Sequence, residues 1–394
     1  MLLPDEIEAL GIAAERLFDP LIRWLLADIC KRVSAAGQFT ASAQYDIWKL
    51  QELGMSQREV KDRVAKMLEK SGKEVEELLT QAAETGYNFD LVNLPTENGI
   101  PFAENGTMQQ IVAAAVEMAK DGLTNITQTM GFVGPHGVWE PITEAYITAC
   151  DFAFTQVSTG ATSYAQALKE ATAGLRKKGI TRIDYESGRQ YTVESAVRRS
   201  VMSAAGIMQE KISQRIHDDY GCDGWEISAH AASAPDHEDI QGRQYSDADY
   251  KELNDRLKRR IGMLNCGHAA FPIVMGVSIP QYSEKELERL KKENKAGIEY
   301  DGEKMTAYEA TQRQRKLERL IRRNRENILI DTGINDTEQL QTDRIREIRL
   351  EEEYKKFSEA AGLRQQRDRL EMAGYDRKQA AEAKKAFKAE QKEN

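Results

Sequence analysis

Cysteine is scarce in this 394-residue chain and nowhere paired: Cys30, Cys150, Cys222 and Cys266 are scattered, with no CxxC among them. That argues against a disulfide framework and for a reducing compartment. Aromatic residues make up only 7% of the chain, which suits helix-rich cores of modest size. Positive charge is not in excess. The 55 Lys and Arg face 64 Asp and Glu, a formal charge of −9, so any contact with nucleic acid or a membrane needs a local basic patch. No long apolar run occurs either. The most apolar stretch, Ile111 to Ala119, is too short to span a bilayer and contains Glu117. The opening MLLPDEIEALG carries acids where a secretory signal carries Lys or Arg, so the expectation is a soluble protein made and kept inside a cell. Also missing are a phosphate-cradling P-loop, a GxSxG elbow and a dinucleotide fingerprint.

What is present reads as mainly α with a small α+β module, divided as a helical N-terminal arm (1–178), the α+β module (179–280) and a charged helical C-terminal segment (281–394). Ile7, Leu10, Ala14, Leu17, Leu21 and Leu25 share a helical face, with a restart expected at Pro20 behind Asp19. Ser56 with Glu59, Thr107 with Gln110, and Ser163 with Gln166 have capping-box spacing, each predicting a helix start. Residues 86–106 and 131–137 are breaks. Thr181 to Val193 alternates around 186–189 as a β-hairpin. Val197, Val201, Ala204, Met208 and Ile212 then stripe a long helix, and Trp225 to Ser228 makes a short strand. Further on, Asp301-Gly302 marks a hairpin and Thr306 with Glu309 caps a helix. A second stripe, Leu350, Tyr354, Phe357 and Ala361, suggests an antiparallel helical pair. The last twenty residues, rich in Lys, Glu and Ala, read as frayed helix or disorder.

The richest chemistry lies between 227 and 268. His230, His237, Cys266 and His268 are borderline or soft ligands in one loop-rich unit, able to close a tetrahedral Zn2+ site from neutral imidazoles and a thiolate. The alternative is that these side chains brace loops by hydrogen bonds, without a metal. His237, Asn265 and His268 also echo a His-Asn-His metal-dependent nuclease, although the strand and helix pattern of that class is not apparent. His136 and His217 read as structural.

Over 306–330, Arg313, Arg315, Lys316, Arg319, Arg322, Arg323 and Arg325 face Glu309, Glu318 and Glu326, a local excess of +4. Arg315, Arg319, Arg322 and Arg323 are the candidates for contact with double-stranded DNA or a partner, against the simpler reading of a solvated helix face. Few aromatics interleave them, so base stacking is not indicated.

Three blocks resemble the phage minor capsid protein 2 family, relatives of the Mu-type minor head proteins. They are Arg198-Arg199; ISAH (227–230), PDH (235–237), QGRQYS (241–246), LNCGH (264–268) and Pro272; and TAYEATQRQRKLERLIRR (306–323) with EEEYKKFSEAAGLRQQRDR (351–369). The match covers roughly 190–375. Ala234 stands where the family's arginine is expected before the proline, and Gly267 where a basic residue often follows the cysteine. The resemblance implies a non-enzymatic minor structural protein of a tailed-phage or prophage head. Such a protein sits in the head interior, is made in the bacterial host cytoplasm, partners the portal and major capsid proteins, and touches packaged DNA during assembly or genome delivery. The alternative is a nuclease acting at packaging or ejection.

Overall fold

The structure is a computed structural model that describes residues 1–92, 94, 99–183, 187–262 and 266–393, apart from the side chains of Leu53, Ser56 and Glu393. It is mainly helical with small antiparallel sheets. The chain opens with α1 (Pro4–Arg16) and α2 (Asp19–Ala36), and the restart falls where Pro20 sits in the first turn and needs no backbone donor. Next comes α3 (Ser42–Val92), a single helix of 51 residues. The start expected at Ser56 is therefore an interior position. Gly54 beside it faces open space, and a lone glycine costs an exposed helix only about 1 kcal/mol, too little to end it. The next helix, α4 (Gly106–Thr129), begins slightly ahead of the Thr107 spacing because the Asn105 side chain accepts from Met108 N.

Strands β1 (Met130–Val133) and β2 (Trp139–Pro141) form a hairpin. Helices α5 (Ile142–Ser158), α6 (Tyr164–Ala171) and α7 (Ala173–Lys178) follow, the last two divided at Thr172. Ser163 caps α6 as its spacing foretold. Strands β3 (Thr181–Ile183) and β4 (Gln190–Thr192) form the expected second hairpin, whose tip at 184–186 lies outside the described residues. This hairpin does not open the α+β module. It joins the first one in a sheet of order β2-β1-β3-β4, through Met130↔Arg182 and Gly131↔Thr181. The division drawn at 179 thus falls inside a layer of the N-terminal body.

Thr192 caps α8 (Val193–Asp219), the central rod of that body, which touches α1, α3 and α4. Its anticipated stripe is fully buried, and the surrounding core runs from Leu2 to Cys222. At roughly 1.5–3 kcal/mol per large apolar side chain, this burial is the main term holding the helices together.

The smaller sheet has order β6-β5-β7, built from β5 (Gly224–Ile227), β6 (Gln244–Ser246) and β7 (Ala270–Ile273), with α9 (Asp247–Arg256) following β6. Helix α10 (Glu284–Ala296) leads to the hairpin β8 (Ile298–Tyr300) and β9 (Glu303–Met305). Asp301 and Gly302 both take positive φ there, as a tight two-residue turn requires. The capping box of Thr306 and Glu309 starts α11 (Ala307–Ile334), which packs on α12 (Thr337–Ala360). Ala310, Leu317, Ile321, Tyr354 and Phe357 form the core of this pair, while Ile330 and Ile334 at the far end of α11 belong to the main core. After α13 (Arg367–Leu370), the expected frayed tail is α14 (Arg377–Glu393). It lies against α12 through buried Ala383 and Ala386 and the pair Arg349–Glu390. Among the described residues no helix is long and apolar enough to cross a membrane.

Candidate functional site

The register of the small sheet creates the site. Ile227 at the end of β5 pairs with Ala270 at the start of β7, and Ser228 and Ala269 exchange further hydrogen bonds beyond them. Antiparallel pairing therefore brings two loops side by side: 228–243, which carries His230, His237 and Gln241, and the segment before β7, which carries Cys266 and His268. Asn265 lies outside the described residues.

Three of the four candidate ligands converge. Cys266 Sγ lies 3.3 Å from His237 Nδ1 and 3.5 Å from His268 Nδ1, and the two Nδ1 atoms are 3.3 Å apart. All three residues are buried, with exposures of 4%, 0% and 2% for Cys266, His237 and His268. These are the described residues whose ligand atoms all lie within 4.8 Å of one another, so they are the ones placed to hold a metal.

The protonation pattern follows from the far side of each ring. His237 Nε2 is 2.8 Å from Arg259 O, a backbone carbonyl that can only accept, so this nitrogen carries the proton. His268 Nε2 is 3.0 Å from Gln241 Oε1. The backbone N–H of His230 donates to that same oxygen, fixing it as an acceptor and His268 Nε2 as the donor. Both Nδ1 atoms therefore present lone pairs to each other and to Cys266 Sγ. Burial pushes all three imidazoles, His268 most strongly, below the ordinary histidine value, which keeps them neutral near pH 7. Burial raises the Cys266 thiol, while backbone donors from His268 and Gly262 to the sulfur pull the other way.

His230 stands beside this group without joining it. Its ring centroid is 4.2 Å from that of His268, Nδ1 bonds Ala231 O, and Nε2 is buried without a hydrogen-bond partner among the described residues. A Cβ added at Gly267 would come within 3.0 Å of that Nε2, which explains why a side chain is missing where a basic residue was expected. The loop also holds Ala232 in the left-handed region, at φ 56°.

Gln241, the Arg259 carbonyl and Ser233, 3.3 Å from His268 Nε2, had no counterpart in the sequence reading. Gln241 lay in plain view in the QGRQYS block, whereas a main-chain carbonyl has no residue-type signature. His217 is braced as anticipated. Its ring stacks on Trp225 at 5.0 Å and Nε2 lies 2.9 Å from Asp247 Oδ1.

The cluster borders a cleft of about 1130 Å³ whose other walls come from α1, α8 and α11 and include the four candidate arginines. Three of these four are engaged inside the chain. Arg315 pairs with Glu8 at 3.0 Å, Arg322 with Asp19 at 2.9 Å and Glu194 at 2.6 Å, and Arg323 with Glu326 and the Leu175 carbonyl. Arg319 is exposed. Neither a free basic ridge nor a wholly solvated face describes these four: three lie in a seam between α11 and the N-terminal body, because α11 is packed on several sides and these cations meet acids or carbonyls.

Among protein families, the model described as phage minor capsid protein 2 matches residues 2–359. No curated protein and no solved structure matches significantly.

Proposed function

The chain belongs to the phage minor capsid protein 2 family, and from that premise we propose that this minor capsid protein is a non-enzymatic building block. It sits in the head interior against the portal, and its His/Cys module braces the fold and turns nothing over. The observation that carries this reading is the contrast between a polar module buried at the edge of the cleft and an exposed apolar patch on α3. His237, Cys266 and His268 are almost wholly buried, with the histidine protons already committed to carbonyl oxygens. A catalytic base needs an open face toward its substrate. Along the first part of α3, by contrast, Ile47, Leu50 and Met55 stand in solvent, Leu50 at 80% exposure. The later part of the same helix buries Val75, Leu79 and Ala83 in the main core. A helix anchored on one face along its length, by Tyr45 as well as by Val75 and Leu79, and carrying Ile47, Leu50 and Met55 exposed near its start, is suited to docking on a larger assembly.

Contact with packaged DNA falls to Arg319 and the neighbouring exposed Lys316, since the other three candidate arginines are paired. Few free cations imply weak, salt-sensitive binding that assists assembly or delivery without reading sequence.

The test is co-purification with the portal protein, together with mass spectrometry of purified particles. Retention by the portal, and its loss in Ile47→Asp/Leu50→Asp, supports the reading. Clean absence from particles and no retention by the portal overturns it. Cleavage of DNA that requires a divalent metal and disappears in His237→Ala would instead establish the nuclease alternative.

A further inference from the structure

We propose that Cys266 Sγ, His237 Nδ1 and His268 Nδ1 form a zinc-binding centre. The first support is spacing. Zinc holds imidazole nitrogen at about 2.0–2.1 Å and thiolate sulfur at about 2.3 Å, so tetrahedral ligands lie roughly 3.3 Å apart for two nitrogens and roughly 3.6 Å apart for nitrogen and sulfur. The observed separations are 3.3 Å between nitrogens, and 3.3 and 3.5 Å to sulfur.

The second support is a surplus of lone pairs. With both Nε2 protons directed to Arg259 O and Gln241 Oε1, each Nδ1 can only accept. The sole proton within the triangle is that of the thiol, and it can serve one nitrogen at a time. One of the two buried Nδ1 atoms is therefore always left facing other lone pairs without a donor, an arrangement that buried polar groups rarely keep. A divalent cation satisfies both nitrogens and the sulfur at once, with the thiol proton released to solvent on binding.

The third support is the outer layer. A metal-bound imidazole characteristically donates its remote N–H to a carbonyl or carboxylate, which fixes the ring and its tautomer. Both histidines do so here, and the His268 backbone N–H points at the sulfur from 3.4 Å. Beside the centre, His230 Nε2 carries a buried lone pair with no partner among the described residues. The centre ties the loop after β5 to the segment before β7, so it acts as a staple in the module. This inference does not depend on portal docking.

The full chain, purified without chelators and dialysed against zinc, is expected to hold about one zinc ion by elemental analysis. Replacement by Co2+ is expected to give a thiolate-to-cobalt charge-transfer band and the visible bands of a tetrahedral ion. Cys266→Ser removes the charge-transfer band and most of the metal. Gln241→Ala, which leaves every ligand in place, weakens zinc binding roughly tenfold or more. Background zinc in the parent protein together with no thiolate band overturns the proposal. So does a folded Cys266→Ser protein that keeps both the band and the full zinc content. Because the parent spectrum is decisive by itself, failure of a variant to fold does not shield the idea.

Discussion

Two buried polar clusters of the molecule are built on opposite principles. Along α11 the buried groups are ions matched by ions: Arg325 holds Glu347 at 2.6 Å and Glu351 at 2.6 Å, while Arg322 is shared by Asp19 and Glu194. In the small module the buried groups are neutral, two imidazole lone pairs sharing one thiol proton. The first cluster has its charges matched within the chain and therefore reads as architecture. The second calls for a partner, and it is the one with ligand chemistry. Burial of polar residues alone does not distinguish a seam from a site; the balance of donors and acceptors does.

The comparison breaks most visibly at Arg325. Arg325→Ala leaves Glu347, wholly buried, without its counter-charge, and is expected to cost about 3–5 kcal/mol in denaturant unfolding. A loss under 1 kcal/mol would show that the α11 seam is ornamental.

The two clusters should also titrate in opposite directions. Burial, opposed by Arg322, pushes the Asp19 carboxyl up to about 6 from its ordinary value of 3.8. A raised folded value means stability fully present below pH 3.8 and lost as pH rises through about 6, worth on the order of 2–3 kcal/mol. Asp19→Asn should flatten that limb of the stability–pH curve. The module's histidines are held below 6.5. Measured with a chelator present, their contribution is intact above pH 6.5 and declines as pH falls, because the unfolded chain takes up protons first. An unchanged curve in Asp19→Asn, or no acid limb with the chelator, removes the contrast.

Smaller effects sharpen it further. Gly267→Ala presses a methyl group toward His230 Nε2 and should destabilise the module by about 1 kcal/mol in thermal melts, without altering the α11 seam. Arg319→Ala should leave stability within about 0.5 kcal/mol, since the side chain is exposed. If DNA is bound, the same change lowers the dependence of log affinity on log salt by about one. A large stability loss in Arg319→Ala would mean that it belongs to the seam like its neighbours.

Features governed by near neighbours were legible in the sequence. The steps from Val197 to Ile212 identified the face of α8 that is now wholly buried, Thr306 with Glu309 identified a helix start, and Asp301-Gly302 identified a tight turn. The four His and Cys candidates were also legible by type, and three of them meet. Features set by distant partners were not. Nothing local says that β3 pairs with β1, which moved a hairpin from the module to the N-terminal body. An arginine reads as a surface residue until its acid arrives from over a hundred positions away, as Glu194 does for Arg322. The carbonyl that orients His237 belongs to a residue, Arg259, whose side chain suggests a different role.

One helix crosses these territories. The N-terminal turns of α11 share a core with α12, and its last turns, at Ile330 and Ile334, are planted among the side chains of α2 and its neighbours. It works as a common beam beneath two rooms, so neither can sag independently. Heat should bring both down in one cooperative step, and force applied at a capsid contact on one side would be felt on the other with little hinge to absorb it.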